Sequence, residues 1–393
     1  MRNFSRFPQP TLALIAGLLL PAAALAGPND SAWIPLFNKA DTSLATNWDI
    51  KITTRALNVD PLNTFRRAIV GSDTVLEANV SNYTNFNGQY GHIGYKIRPF
   101  NYFIVRVEHQ FFGSQAAGNP GTWALQNNGI MHHSQSAASM GTGQDFPISL
   151  EAQLLGPGNT GADNNSTMNL CTPGTAFYNA PTGGSVNTNH CTSATGSHNR
   201  SLALAPNWMW AKVHALSDSI IRYYYNNGTQ DSLVMTFYRS VQYGGNVSGN
   251  TVSIVNNTPI KGGYLLFQSE SHGTRFRRIE VLNLEGCMTT TDANYKSYLV
   301  KHDSTACAGS TGIRGTSPQD ALYAAPLTIV GNAIKVGGTE RVTLEVYDLR
   351  GTRLGAYSAQ APFQWAPGVK TSGLHVVRAI TPKGTYTERV TLF

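Results

Sequence analysis

Gly263-Tyr-Leu-Leu-Phe-Gln-Ser-Glu-Ser-His-Gly-Thr-Arg-Phe-Arg-Arg-Ile-Glu-Val281 reads as an apolar strand closing on a polar triplet, a turn, and a second strand from Phe276. Aromatic and aliphatic residues bounded by Gly and Ser carry that reading. Side chains alternate faces along a strand, so Gln268 and Glu270 share one face. An amide and a carboxylate are thereby presented together at a strand end, where a sheet offers polar groups to a ligand.

The same punctuation runs outward in both directions. Tyr102–His109, Ile148–Leu154 and Ser219–Tyr225 alternate in the manner of half-buried strands, with Gly, Asn and Pro clusters between them. Asn226-Asn227-Gly228 carries hairpin chemistry. No helical period is sustained beyond the first residues of the chain, so an all-β, antiparallel jelly-roll β-sandwich is expected. In Ile148–Leu154 the apolar Leu150, Ala152 and Leu154 should face the core, leaving Glu151 and Gln153 together on the opposite face. By the same parity Gly129, Met131 and His133 should share one face, and Asn128, Ile130 and His132 the other. Strand patterning lapses over 113–121 and 156–200, which read as long loops.

Residues 1–26 carry Arg2 and Arg6, the apolar run Leu12–Leu20 and a small-x-small site at Ala24-Leu25-Ala26, the pattern of an export signal. The apolar run is too short for a membrane span. Loss of the two arginines takes the formal charge from +7 to +5, and basic residues nowhere cluster as nucleic-acid binding would require. Four cysteines, none in C-x-x-C spacing, suit an oxidising compartment, with Cys171–Cys191 and Cys287–Cys307 the simplest of three pairings. No serine-hydrolase elbow, P-loop, Rossmann glycine pattern or H-E-x-x-H occurs.

Composition turns polar after Gly286. The expected organisation is a jelly roll over 27–286, a disulfide-stapled linker over 287–320, and a small β-domain over 321–393. Val342-Thr-Leu-Glu-Val-Tyr-Asp348, Gly351 and the closing Gly384-Thr-Tyr386 strand resemble the C-terminal sorting domains of type IX-like bacterial secretion. That resemblance implies contact with secretion machinery or the cell surface. A generic carbohydrate-binding sandwich is the competing reading.

Residues from about Ile34 to Leu284 resemble the 3-keto-disaccharide hydrolase domain, whose fold is the lectin/glucanase jelly roll. The resemblance rests on Ile34-Pro-Leu-Phe-Asn38 with Asp41 and Trp48, the Tyr102–Glu108 strand, Asn128-Gly129-Ile130, Leu150-Glu151-Ala152-Gln153, Gly174–Tyr178, Trp208 and the closing Gln268-Ser269-Glu270 with Phe276. Two positions depart from it. His133 stands where the family has an arginine, and Met209 where it has an asparagine.

Amides and carboxylates suit vicinal sugar hydroxyls, and aromatic faces suit sugar rings. Candidate catalytic residues are therefore Glu151, Glu270 and His133. Candidate substrate-binding residues are Gln153, Gln268, Asn128, Trp123, Trp208 and Tyr178. Glu270 has a structural alternative, a strand-end ion pair with Arg275 or Arg277. The resemblance implies elimination from a 3-keto sugar, with Glu151 or His133 as base. Two glutamates equally permit ordinary glycoside hydrolysis. Carboxylates with amides also suit Ca²⁺ or another divalent cation. A non-catalytic carbohydrate-binding module and a cell-surface scaffold are the alternatives to an enzyme.

Overall fold

The computed structural model describes residues 33–37, 43–159, 166–195, 203–226, 231–307, 327–330, 333–336, 341–348, 352–366, 373–381 and 384–392. Residues 1–26, where an export signal is expected, Asn38 and Asp41 lie outside the described residues, as do residues 227–230 of the expected hairpin turn. Among the described residues there is no α-helix, only strands and short 3-10 turns.

The chain runs through β1 (Trp33–Pro35), β2 (Trp48–Ile52), β3 (Phe65–Val70), β4 (Asp73–Ala78), β5 (Gly91–Tyr95) and β6 (Tyr102–Phe112). It continues through β7 (Asn127–Ser134), β8 (Leu150–Leu155), β9 (Asn169–Cys171), β10 (Thr175–Tyr178), β11 (Val186–Asn187) and β12 (Cys191–Thr192). The last strands of this unit are β13 (Met209–Leu216), β14 (Ile220–Asn226), β15 (Asp231–Gln242), β16 (Tyr264–Ser269) and β17 (Gly273–Asn283).

Two antiparallel sheets result. Sheet I has the order β11-β10-β15-β14-β13-β6-β17-β4-β3, with β1 added beside β17. Sheet II has the order β12-β9-β8-β7-β16-β5-β2. The opening stretch thus supplies one strand to each sheet: β16 lies centrally in sheet II, and β17 crosses to sheet I. The inner faces meet in one core. Leu150, Ala152 and Leu154 of β8, Ile93 of β5 and Phe267 of β16 pack against Val105 and Val107 of β6, Ala211 and Val213 of β13, and Phe276 of β17. The rings of Phe267 and Phe276 lie 5.0 Å apart across the corner that joins the sheets. Period-two alternation drives this packing, since each strand buries one face and leaves the other polar. β14 and β15 pair in antiparallel register, Asn226 opposite Asp231.

The stretch 156–200 departs from the expected long loop, because it contains β9 to β12. These strands are two to four residues long and set among Asn, Thr and Gly, so alternation is invisible in them. Pairing with strands already in place supplies their order: β9 adds to β8, and β10 to β15. The Cys171–Cys191 disulfide holds β12 on β9, where those two cysteines are directly opposite. Replacing both cysteines by alanine should cost about 3 kcal/mol, the loop-closure value for a bridge of this span. A denaturation midpoint unchanged in the double variant would show the pairing to be carried by the strands alone.

The second bridge, Cys287–Cys307, closes the segment after the jelly roll. That segment returns to the sandwich through a parallel bridge pairing Glu285–Gly286 with Lys301–His302. Further on, Leu327–Val330, Ala333–Val336 and Phe363–Trp365 form one sheet. Arg341–Tyr347, Arg353–Gln360, Gly373–Thr381 and Gly384–Leu392 form another. Ile334, Val336, Val342, Leu344, Val346 and Val377 give this C-terminal unit a core of its own.

Candidate active site

The outward face of sheet II carries the polar residues that alternate with the core set. Register places them in two rows across the strands. In the first, Lys51 of β2 lies opposite His92 of β5, which lies opposite Gln268 of β16. Gly129 of β7, Gln153 of β8 and Asn169 of β9 continue it. In the second row Leu266, Met131, Glu151 and Cys171 follow one another. Ala137 and Met140, with the half-buried Leu57 and Phe146, pack over Met131 and Leu266, so this face is roofed by its own loops.

That roof sets the electrostatics. Glu151 and Glu270 are 5% and 3% exposed, so both are carboxyl groups removed from water. Burial pushes Glu151 up to about 8. Glu270 is raised well above the ordinary carboxylate range, first by burial and then by the charge of Glu151, with the Gln268 amide acting in the opposite sense. Burial raises both carboxyls, and the charge of Glu151 raises Glu270 further, so the two groups interact as they titrate. Tyr90, just before β5, is pushed up to about 12 by burial and then by Glu270 and Asp145, which places its hydroxyl at the same site. His92 is pushed down to about 3 by burial and the neighbouring Lys51, so its ring is neutral.

Local backbone makes room for this arrangement. A Cβ on Gly129 would lie 2.2 Å from Glu151 Oε1, so the carboxyl group rests on the strand where that side chain is missing. Gln153 Oε1 accepts from Asn169 Nδ2 at 3.0 Å, and Asn169 Oδ1 accepts from Ser166 Oγ at 2.7 Å. His92 and Gln268 differ. Both are fully buried, yet neither ring nitrogen of His92 has a protein hydrogen-bond partner, and the Gln268 amide meets only the Glu270 carboxyl. Each such orphan costs about 1–3 kcal/mol unless a ligand or water satisfies it.

The structure therefore brings Glu151, Gln153, Gln268 and Glu270 to one face. Arg275 and Arg277 pair with Glu77 and Glu108 at 2.7 and 2.5 Å rather than with Glu270. Trp123 sits on a 3-10 turn at the edge of the site, 39% exposed, with its Nε1 donating to Pro120 O at 3.0 Å. Gln115 ties that loop to Ser271, the neighbour of Glu270, through bonds of 3.0 and 3.1 Å.

Four expected residues lie elsewhere. His133 does not share the face of Met131. The β7–β16 register slips between Tyr264↔Ser134 and Leu266↔Met131, so a bulge places both His132 and His133 inward. His133 adopts φ 49°, and its ring packs 5.8 Å from Phe103. Its Nδ1 bonds His132 Nδ1 at 2.8 Å, and its Nε2 donates to Ser217 O at 3.2 Å. Gly263 permits the bulge, since a Cβ there would come within 2.5 Å of the His133–Ser134 peptide. Asn128 also turns from the outward face, and its Nδ2 donates to Gln268 O at 2.6 Å, stitching β7 to β16. Trp208 and Tyr178 belong to the outer face of sheet I, under Arg277 at 4.3 Å and Arg239 at 3.6 Å respectively. These cation–π contacts fix the aromatic rings on the far side of the sandwich.

Lys51, Tyr90, His92 and Asn169 were not legible as site residues. His92 alternates with the core residue Ile93 in Gly91-His-Ile-Gly-Tyr95, which marks its face, but only strand pairing brings it to Gln268. As for a cation, Glu151 and Glu270 offer two carboxyl groups. The group of three His, Cys, Asp or Glu ligands found among the described residues is Cys287, Asp292 and Cys307, whose two sulfurs are joined in the disulfide.

A family model for the 3-keto-alpha-glucoside-1,2-lyase-like domain matches residues 32–282. No curated protein matches the chain. Among solved structures, a Parabacteroides distasonis protein assigned to the glycosyl hydrolases aligns at 15% identity, covering 61% of this chain and 89% of its own, with a TM-score of 0.32. A galectin-like protein of unknown function from Bacillus subtilis aligns at 9% identity over 64% of this chain and 94% of its own, TM-score 0.34. Bacillus licheniformis β-glucanase aligns at 10% identity over 62% and 96%, TM-score 0.25.

Proposed function

The chain belongs to the 3-keto-alpha-glucoside-1,2-lyase-like family, and on that premise we propose that its jelly roll cleaves the glycosidic bond of 3-keto-glycosides by elimination at sheet II. The observation that carries this reading is the coupled pair of buried carboxyls, Glu151 and Glu270, beside unsatisfied polar groups. A ketone at C3 acidifies the hydrogen on C2. Glu151, as carboxylate, takes that proton, and the C2–H electron pair becomes the C2=C3 bond of an enolate. The enolate then collapses, C1–O breaks with its electron pair, and the aglycone leaves with a proton from the Glu270 carboxyl. Water adding across C1=C2 completes a net hydrolysis.

A base whose pKa is raised by burial is strong when ionised but scarce at neutral pH. Turnover should therefore climb as pH rises from 6 and level off above about 8, the value to which burial lifts Glu151. A flat profile across that window would remove Glu151 from the role of base.

The deciding experiment incubates the protein with a 3-keto-glucoside and with the unmodified glucoside and follows aglycone release by mass spectrometry. Release from the keto substrate alone supports elimination. Release from the plain glucoside would assign the pair to conventional acid and nucleophile roles. Sugar-dependent thermal stabilisation without release would make the domain a binding module.

We also read residues 1–26 as an export signal and 321–393 as a sorting or attachment unit. Two disulfides support an extracellular setting, and among the described residues no helix is long and apolar enough to cross a membrane. The separate core of the C-terminal unit supports its independence.

A further inference from the structure

We propose that His92 and Gln268 form the subsite that holds the ketone oxygen of the substrate, donating hydrogen bonds to it as it becomes an enolate. The inference rests on the elimination reading and adds to it two residues with a stated role. They lie directly opposite each other on adjacent strands, β5 and β16, and face the same side as Glu151. Opposed side chains on paired strands are within about 5.5 Å at Cβ, so the two act on one small volume. Both are fully buried; neither ring nitrogen of His92 has a protein hydrogen-bond partner, and the Gln268 amide meets only the Glu270 carboxyl. Buried polar atoms are normally satisfied, so an unpartnered imidazole opposite an amide with capacity to spare describes a ligand's place rather than a packing defect.

The chemistry of the pair selects the ligand. A neutral imidazole offers one N–H donor and one acceptor nitrogen, and an amide offers NH₂ and a carbonyl. Two donors can converge on one carbonyl oxygen, while the two acceptors take hydroxyls beside it. A 3-keto sugar presents that pattern, an oxygen without a hydrogen flanked by hydroxyls on both sides. Burial and Lys51 keep His92 neutral, so it polarises the ketone without surrendering its proton. The Lys51 ammonium is anchored on Arg55 O at 2.6 Å and Ile52 O at 3.3 Å, one strand from His92. A fixed positive charge there favours negative charge developing on the oxygen. The ring of Phe146, 6.0 Å from His92, closes the apolar side.

The test uses the full chain, with His92→Phe and Gln268→Leu as variants of similar volume. Removing the unpartnered ring nitrogens should leave His92→Phe at least as heat-stable as the parent, which separates loss of function from loss of fold. Methyl 3-keto-glucoside should raise the melting temperature of the parent more than methyl glucoside does. That preference should vanish in both variants, and kcat for aglycone release should fall by about 100-fold with KM changed only a few-fold, as for a lost oxyanion donor. Retained keto preference, or kcat within a few-fold of the parent, overturns the subsite and leaves the elimination reading standing. Keto preference abolished by His92→Phe in a protein that releases no aglycone upholds the subsite and overturns the elimination reading. A parent that does not distinguish keto from hydroxyl sugar overturns the subsite, and its unsatisfied groups then hold water.

Discussion

Glu151→Gln is expected to lower aglycone release from a 3-keto-glycoside by about 10²–10⁴-fold, the contribution of a positioned general base. Glutamine keeps the shape and hydrogen-bonding capacity of the side chain but cannot take a proton. The same substitution should stabilise the fold. An unfolded glutamate ionises near its ordinary 4.5, whereas burial holds Glu151 protonated up to about 8. Between those values the folded state binds more protons than the unfolded state, so stability falls as pH rises through this window. It levels off above about 8. Glutamine has no proton to lose. The advantage of Glu151→Gln should thus be negligible at pH 4 and reach on the order of 3–5 kcal/mol at pH 8.5. Urea denaturation at the two pH values measures it directly. An equal midpoint shift at both would mean that Glu151 is not desolvated, and turnover within a few-fold of the parent would assign the proton abstraction to another group.

Gly129→Ala tests the site from the backbone side. Its new methyl would fall 2.2 Å from Glu151 Oε1, inside any permitted contact, on a strand held between two neighbours. The flexible partner is the glutamate, so the carboxyl group should move and the strand should not. We expect kcat to fall by about 100-fold with a modest change in melting temperature, because displacement of a reacting group by an ångström is enough to cost that much. Unchanged kcat in a folded variant would show that Glu151 acts from a different rotamer. Together the two substitutions distinguish the chemistry of Glu151 from its position.

Much of this protein was open to reading along the chain. Alternation in Ile148–Leu154 put Glu151 and Gln153 on the face opposite Leu150, Ala152 and Leu154, and the packed core agrees. Parity likewise put Gln268 and Glu270 on one face of their strand, and the core residue Phe267, between Leu266 and Gln268, agrees for Gln268. The same rule failed at His133 for a definite reason. One extra residue in a strand reverses every face after it, and the bulge depends on the positive φ at His133 and the bare Gly263 on the next strand. Trp208 and Tyr178 qualify as stacking residues by type, which says nothing of which sheet a strand joins.

The sequence by itself determined the all-β class and the two polar strand faces, because these depend on local alternation; it left three cysteine pairings open, and the fold selected Cys171–Cys191 and Cys287–Cys307. Tertiary structure alone decided that His92 meets Gln268, that Lys51 stands behind them, that Asn169 closes the row, and that two carboxyls are buried near each other. Those contacts join strands distant in sequence, and their electrostatics come from a roof of loops that exclude water. Neither strand register across a sheet nor the dielectric above it is written in any one strand.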